Sequence, residues 1–167
     1  MRFAPLPVAA LLLALATAGC GLQPMYAGGT KSLVAKDLSE VEVPPIPGQA
    51  GWFVRNALRD QLATTGTSAT PRYRLDVLLD DELEGLGLLT DETIGRERRT
   101  LRARYQLVEL STDTVVVDAT AGSDTGIDVV SSDYATIAAE QTALEDLAKE
   151  VAGQIVTTLT LAFRAQS

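Results

Sequence analysis

Two neighbouring segments with opposite charge and a two-residue period constrain the fold of this chain most. Apolar residues alternate with mainly acidic residues from Tyr73 to Glu84, and with arginines from Arg96 to Leu107. Alternation of this kind is typical of a strand that buries one face. The two segments flank a turn-like stretch, residues 90–92, and therefore predict a long antiparallel hairpin with one apolar and one charged face.

The charges also predict the register of this hairpin. Pairing about the turn places Glu84 opposite Arg98 or Thr100, and places Asp80 and Glu82 opposite residues 100–104. Opposite charges on neighbouring strands stabilise a sheet by roughly 0.2–1 kcal/mol a pair. The pattern therefore favours this register over a slipped one.

Shorter elements surround the hairpin. Val34, Leu38, Val41 and Val43 predict a first strand at residues 39–43, which prolines 44 and 45 end. Apolar residues at three- and four-residue spacing predict a helix at residues 51–63. Residues 111–114 form a predicted hairpin turn into a fourth strand, which is followed by a predicted polar loop at residues 122–133.

A long helix is predicted at the end of the chain, over residues 134–163. One apolar stripe runs along it at helical spacing, consisting of Ile137, Leu144, Leu147, Ala148, Val151, Ile155, Leu159 and Phe163. A helix of about 30 residues is roughly 45 Å long, which is longer than a sheet of this size can cover. We therefore expect either that the helix bends or that part of its apolar stripe contacts something other than this sheet.

Together these elements predict an α+β fold of the order β-α-β-β-β-α. Two helices pack on one face of a four-stranded, mainly antiparallel sheet. The charged face of the sheet is left exposed and available to a partner.

The N-terminus predicts a lipid anchor. A cation, Arg2, precedes an apolar run that ends at Ala18, Gly19 and Cys20, the only cysteine in the chain. We expect residues 1–19 to be a signal peptide, Cys20 to carry lipid, residues 20–30 to be a flexible tether, and residues 31–167 to form one domain. The alternative is an ordinary secreted protein, cleaved nearby, in which Cys20 has no such role.

Composition excludes several classes of function. The chain has no histidine and a formal net charge of −8. A Ser-His-Asp or Cys-His catalytic site, an imidazole or thiolate metal site and a nucleic-acid partner are therefore not expected, nor is any cofactor beyond the covalent lipid. The acidic residues Asp80, Asp81, Glu82 and Glu84 leave open a carboxylate-dependent hydrolase, although a solvated strand face explains them more simply.

Five arginines form the candidate binding site. Guanidinium groups suit phosphate oxygens, because they donate paired hydrogen bonds. The arginines are concentrated near the turn end of the hairpin, where the acidic strand does not fully neutralise them: Arg96, Arg98, Arg99, Arg102 and Arg104.

Two stretches of the sequence resemble a known family. The segment CGLQPMYAGG resembles the C-G-x-x-P-(L/M)-Y-G opening of the alphaproteobacterial LptE-type lipopolysaccharide-assembly lipoproteins. The C-terminal stretch YATIAAEQTALEDLAKEVAGQIVTTLTLAF is similar to the terminal helix of that family. With the element order between them, the resemblance covers nearly the whole chain.

The resemblance implies a non-enzymatic function. Such lipoproteins plug the lumen of an LptD-type outer-membrane β-barrel, help it to assemble, bind lipopolysaccharide and assist its insertion into the outer leaflet. Gly21 after the anchor cysteine implies the periplasmic face of the outer membrane, and the five arginines become candidates for contacting the phosphates of lipid A.

A second hypothesis is a periplasmic accessory lipoprotein of an ABC-type lipid transport system.

Overall fold

The structure is a computed structural model that describes residues 33–63, 70–88 and 94–166. In chain order the elements are α1 (Leu33–Ser39), β1 (Val41–Glu42), α2 (Gly48–Ala63), β2 (Tyr73–Leu88), β3 (Ile94–Glu109), β4 (Thr114–Asp128) and α3 (Asp133–Gln166). The strands form one sheet in the order β1-β2-β3-β4, in which β1 is parallel to β2 and the other pairs are antiparallel. The predicted α+β class is confirmed.

The first element differs from the prediction. Residues 33–39 form the helix α1, and the strand that follows contains only Val41 and Glu42. Val34 and Leu38 are four residues apart, a spacing that fits one side of a helix as well as it fits a strand. Leu38 is buried in the main core, so its packing against other elements decides between the two structures.

The helix α2 is confirmed, with a start three residues earlier than predicted. Gly48 begins it with a φ of 82°, a backbone conformation that favours glycine. Gly51 lies against the backbone of Ile46, and a Cβ atom at this position would clash with the Ile46 carbonyl oxygen. The Arg55 Nε atom donates to the carbonyl oxygens of Val43 and Pro44 at 3.1 and 3.2 Å and so ties the helix to the segment before it.

The predicted hairpin register is confirmed. Glu84 lies opposite Arg98, Glu82 opposite Thr100, and Asp80 opposite Arg102. The predicted turn at residues 90–92 lies outside the described residues. Across the other hairpin, β3 and β4 pair with one irregularity between Leu107 and Val108.

The predicted loop at residues 122–133 is wrong over most of its length. Residues 122–128 continue β4, and they pair with β3 from Arg102 to Arg96. Gly122, Ser123, Asp124 and Gly126 are typical loop residues. They form a strand here because the β3 backbone satisfies their hydrogen bonds and their side chains alternate between the two faces of the sheet.

The core lies between one face of the sheet and the helices. Leu101, Ala103, Tyr105 and Leu107 of β3 are buried there beneath the apolar stripe of α3. At the end of α3, the Phe163 ring packs against Tyr73 with 5.1 Å between the ring centroids. The helices cover one face of the sheet, as predicted, although α1 makes their number in the described residues three instead of two.

The N-terminal part of α3 extends beyond the core. Ile137, which was predicted to belong to the apolar stripe, is 62% exposed, and Tyr134 is 84% exposed. Thr136 is buried instead, and the backbone N–H of Val130 donates a hydrogen bond to its hydroxyl oxygen at 3.3 Å. The buried stripe begins at Leu144, so the expectation that the sheet does not cover the whole helix is confirmed.

Candidate ligand-binding face

The face of the sheet opposite the helices carries most of the predicted arginines. Side chains alternate between the faces of a strand, and as far as Leu107 the buried residues of β3 are odd-numbered. Arg96, Arg98, Arg102 and Arg104 therefore lie together on the other face, where all four are exposed. We call this surface the open face.

Three of these arginines pair with aspartates of β4. Arg96 lies 3.3 Å from Asp128, Arg98 lies 3.7 Å from Asp124, and Arg104 lies 3.2 Å from Asp118. Two of the three carboxylates, Asp124 and Asp128, belong to the segment that the sequence predicted to be a loop. Sequence reasoning therefore missed them, although their alternation with Thr125 and Ile127 was a usable strand signal.

Asp118 is held by two neighbours. Gln106 donates to its Oδ2 atom at 2.9 Å and Arg104 donates at 3.2 Å. These hydrogen bonds, from Gln106 first and then from Arg104, lower the pKa of the Asp118 carboxyl from its ordinary value of 3.8. The Arg104 guanidinium is thus fixed at one end of the arginine row.

Arg102 differs from its three neighbours. No carboxylate of the described residues lies within ion-pairing distance of its guanidinium, and its partner on β4 is Gly122, which has no side chain. Arg102 lies in a trough of about 540 Å³ on the sheet. The trough also contains Arg104, Thr100 and Leu78, and Leu78 is 71% exposed. Asp80 and Asp124 line it as well, so the trough combines guanidinium donors and an apolar side chain with two carboxylates.

Arg99 lies on the opposite side of the sheet. Its guanidinium donates to both Asp81 oxygens at 2.9 and 2.7 Å, and to the Glu140 carbonyl oxygen of α3 at 3.1 Å. The side chains of Arg99 and Asp81 are only 14% and 25% exposed. The hydrogen bond to Asp81 raises the pKa of Arg99 above its ordinary value. The structure thus separates Arg99 from the other four predicted arginines and joins it to the helix layer.

The acidic residues of β2 are divided in the same way. Asp80, Glu82 and Glu84 are exposed on the open face, and none of them forms an ion pair within the described part of the chain. Asp81 belongs to the other face with Arg99. The four carboxylates of the hydrolase hypothesis are therefore not gathered into one site, and in the described residues no group of His, Cys, Asp and Glu side chains could hold a metal ion.

The predicted anchor, Cys20, and the predicted signal peptide and tether lie outside the described residues. Of the helices that are described, none has the length and apolar character needed to cross a bilayer.

Comparison with known proteins gives a family match and several similar folds. A sequence model of the LptE family, described as lipopolysaccharide-assembly, matches residues 38–159. No curated protein matches the chain by sequence search.

Solved structures of bacterial lipoproteins share this fold. A protein of Caulobacter crescentus CB15 described as a lipoprotein is 24% identical, with a TM-score of 0.68 over 81% of this chain and 98% of its own. A minor lipoprotein of Acinetobacter baumannii is 14% identical, with a TM-score of 0.57 over 72% of this chain and 88% of its own. Lipoprotein B of Nitrosomonas europaea is 13% identical, with a TM-score of 0.56 over 75% and 82% of the two chains.

Proposed function

Because the chain belongs to the LptE family of lipopolysaccharide-assembly lipoproteins, we propose that it binds lipopolysaccharide on its open face and helps to deliver it to the outer leaflet. In this proposal the protein is anchored by a lipid on Cys20 at the periplasmic side of the outer membrane. Its protein partner is a β-barrel of the LptD type, whose lumen it plugs and whose assembly it assists. The family is non-enzymatic, and in this proposal the protein acts by binding lipopolysaccharide and the barrel.

The observation that carries the proposal is the trough around Arg102. Lipid A combines phosphate groups with acyl chains, so its binding site needs cationic donors beside apolar surface. Arg102 forms no ion pair with a described carboxylate, although Asp80 and Asp124 also line the trough. Arg104 lies beside it, and the exposed Leu78 supplies the apolar contact. Arg96 and Arg98 extend the cationic row. Exchange of their exposed ion pairs for phosphate costs little, since such pairs contribute about 0–1 kcal/mol.

The open face also suits the lumen of a barrel. Lumens of wide outer-membrane barrels are polar and hydrated, so a plug should present charged groups that form hydrogen bonds. The open face carries arginines on β3 between carboxylates on β2 and β4. This supports a wet contact in preference to an apolar one.

Substitution of Arg102 tests the lipid part of the proposal. Arg102→Glu should weaken binding of purified lipopolysaccharide about tenfold, because charge-assisted hydrogen bonds contribute about 1.5–3 kcal/mol, and the remaining binding should depend less on salt. Arg59→Glu makes the same charge change at an exposed position on α2 and serves as the control. Unchanged binding by Arg102→Glu, in a protein that melts like the wild type, contradicts the proposal.

Affinity purification from solubilised outer membranes tests the partner. The lipidated protein should co-purify with a large β-barrel protein. Co-purification with a soluble periplasmic component and no barrel would instead support the accessory lipoprotein of a lipid transporter. Mass spectrometry of the same sample checks the lipid on Cys20, and a free thiol there contradicts the anchor.

A further inference from the structure

Among the described residues, the outer edge of β2 has no neighbouring strand over most of its length. β1 pairs with β2 only through Val41 and Glu42, which lie beside Tyr73 and Arg74. From Leu75 onward, no strand of the described residues lies on the side of β2 opposite β3. An edge of this length presents a row of backbone donors and acceptors that can pair with another chain.

The hydrogen bonds at the start of the strand show which residues face this edge. The Leu110 N–H donates to the Arg72 carbonyl oxygen at 2.9 Å, on the β3 side, and the Tyr73 N–H donates to the Glu40 carbonyl oxygen at 3.1 Å, on the β1 side. Alternate residues point to opposite sides, and the register with β3 shows no shift along β2. The backbone groups that face the free edge therefore belong to Leu75, Val77, Leu79, Asp81, Leu83 and Gly85.

Most of the far half of this edge is also exposed. Residues 80–85 are exposed as whole residues and Leu83 is 44% exposed, although on the helix side the Asp81 side chain is paired with Arg99. Exposed edges are usually blocked by a lysine, a proline or a bulge. The strand Tyr73–Leu88 contains no lysine and no proline, and its pairing with β3 is regular. It is therefore open to an added strand.

Charge decides what kind of strand fits. Asp80, Glu82 and Glu84 line the open face along this edge without ion pairs to described residues, since Arg96, Arg98 and Arg104 of β3 pair with carboxylates of β4. An added strand would place alternate side chains beside this acidic row, where basic residues stabilise the pair. Its other side chains would lie on the side of Leu79 and Leu83, where apolar residues fit, with Asp81, which is paired with Arg99, between the two leucines.

A second copy of the chain fits this edge poorly. Pairing β2 with β2 of another molecule would bring the two acidic rows together, and like charges on neighbouring strands are destabilising. We propose that the free edge of β2, residues 75–85, binds an extended segment of a partner protein in which basic and apolar residues alternate. The segment adds a strand to the sheet, and its backbone hydrogen bonds and alternating side chains supply affinity and specificity.

A peptide of about ten residues with alternating lysine and valine is the probe. The solubilised full chain should bind it, as measured by fluorescence anisotropy. The same peptide with N-methyl groups on alternate backbone nitrogens keeps its charge but loses its hydrogen bonds, and it should not bind. A peptide with glutamate in place of lysine should not bind either.

Two variants of the chain test the edge and the charge separately. Leu83→Pro removes an edge-facing N–H, which edge strands tolerate, and should weaken peptide binding about fivefold or more while lipopolysaccharide binding stays unchanged. The triple variant Asp80→Asn, Glu82→Gln, Glu84→Gln should weaken binding and abolish its salt dependence. Its control removes three negative charges elsewhere: Asp60→Asn, Asp113→Asn and Asp146→Asn.

Equal binding of the N-methylated peptide overturns the proposal, because it shows attraction by charge alone. Wild-type affinity in a folded Leu83→Pro variant overturns it too. If Leu83→Pro does not fold, the proposal is tested by comparing how the wild-type chain binds the lysine–valine peptide and its N-methylated form. A wild-type dimer in sedimentation that Leu83→Pro converts to a monomer would identify a second copy as the occupant and also overturn the proposal.

Discussion

Arg98 and Arg99 are neighbours in sequence, yet their surroundings have little in common. Arg99 contacts Asp81 and the α3 backbone between the sheet and the helices, and its side chain is 14% exposed. Arg98 lies on the open face, 51% exposed, with Asp124 at 3.7 Å. One step along a strand reverses the face, so residues of the same type hold the fold together on one side and remain available to a ligand on the other.

The same contrast holds for the whole sheet. One face of β3 is filled by Leu101, Ala103, Tyr105 and Leu107, which pack beneath α3. The other face carries arginines between two rows of carboxylates. We therefore expect substitutions on the helix side to change the free energy of unfolding, and substitutions on the open face to change binding.

A leucine on each face tests this contrast with the largest expected effect. Leu101 is fully buried, and Leu101→Ala should lower the free energy of unfolding by about 2–5 kcal/mol because it leaves a cavity in the core. Leu78 is 71% exposed on the open face, and Leu78→Ala should change stability by less than about 0.5 kcal/mol. Denaturant unfolding measures both. Equal losses would show that the open face is packed.

The two adjacent arginines give an intermediate effect. Arg99→Ala leaves Asp81 and the Glu140 carbonyl oxygen without their donor and should cost about 1–3 kcal/mol. Arg98→Ala removes an exposed pair and should cost less than about 1 kcal/mol. In lipopolysaccharide binding the order should be reversed, with the larger loss for Arg98→Ala. The same order in both measurements would contradict the division between the faces.

The pH dependence of Asp118 gives the smallest effect. Hydrogen bonds from Gln106 and Arg104 lower its pKa in the folded state, so its stabilising contribution is present above the ordinary pKa of 3.8 and is lost as the pH falls through the lowered value. Asp118→Asn should therefore reduce stability near neutral pH slightly and flatten the decline in acid. Unfolding curves measured across this pH range check the prediction, and parallel curves for the two proteins would contradict it.

The alternating segments allowed the hairpin and its register to be predicted, because apolar and charged positions leave one favourable pairing. The C-terminal half of β4 could not be found from its local composition, since Gly122, Ser123 and Gly126 favour loops. Its pairing with β3 is a contact between residues distant in sequence. The prediction of the first strand failed for a related reason. Val34 and Leu38 fit a helix as well as a strand, and packing against other elements decides between the two structures.

The candidate site was partly visible in the sequence. Closeness in the chain groups the five arginines together, whereas the alternation of β3 assigns Arg99 to the side of Leu101. The aspartates that pair with Arg96 and Arg98 lay in a predicted loop and so were missed. That Arg102 forms no ion pair with a described carboxylate depends on which side chains reach it in space, and no local sequence pattern shows that.

Photo-crosslinking in living cells tests the central claim most directly. A photoreactive amino acid at Leu78 or Thr100 on the open face should form adducts with lipopolysaccharide, because both residues line the trough. The same group at Asp146 or Leu161, exposed on α3, should form none. Adducts from the α3 positions and none from the open face would contradict the account.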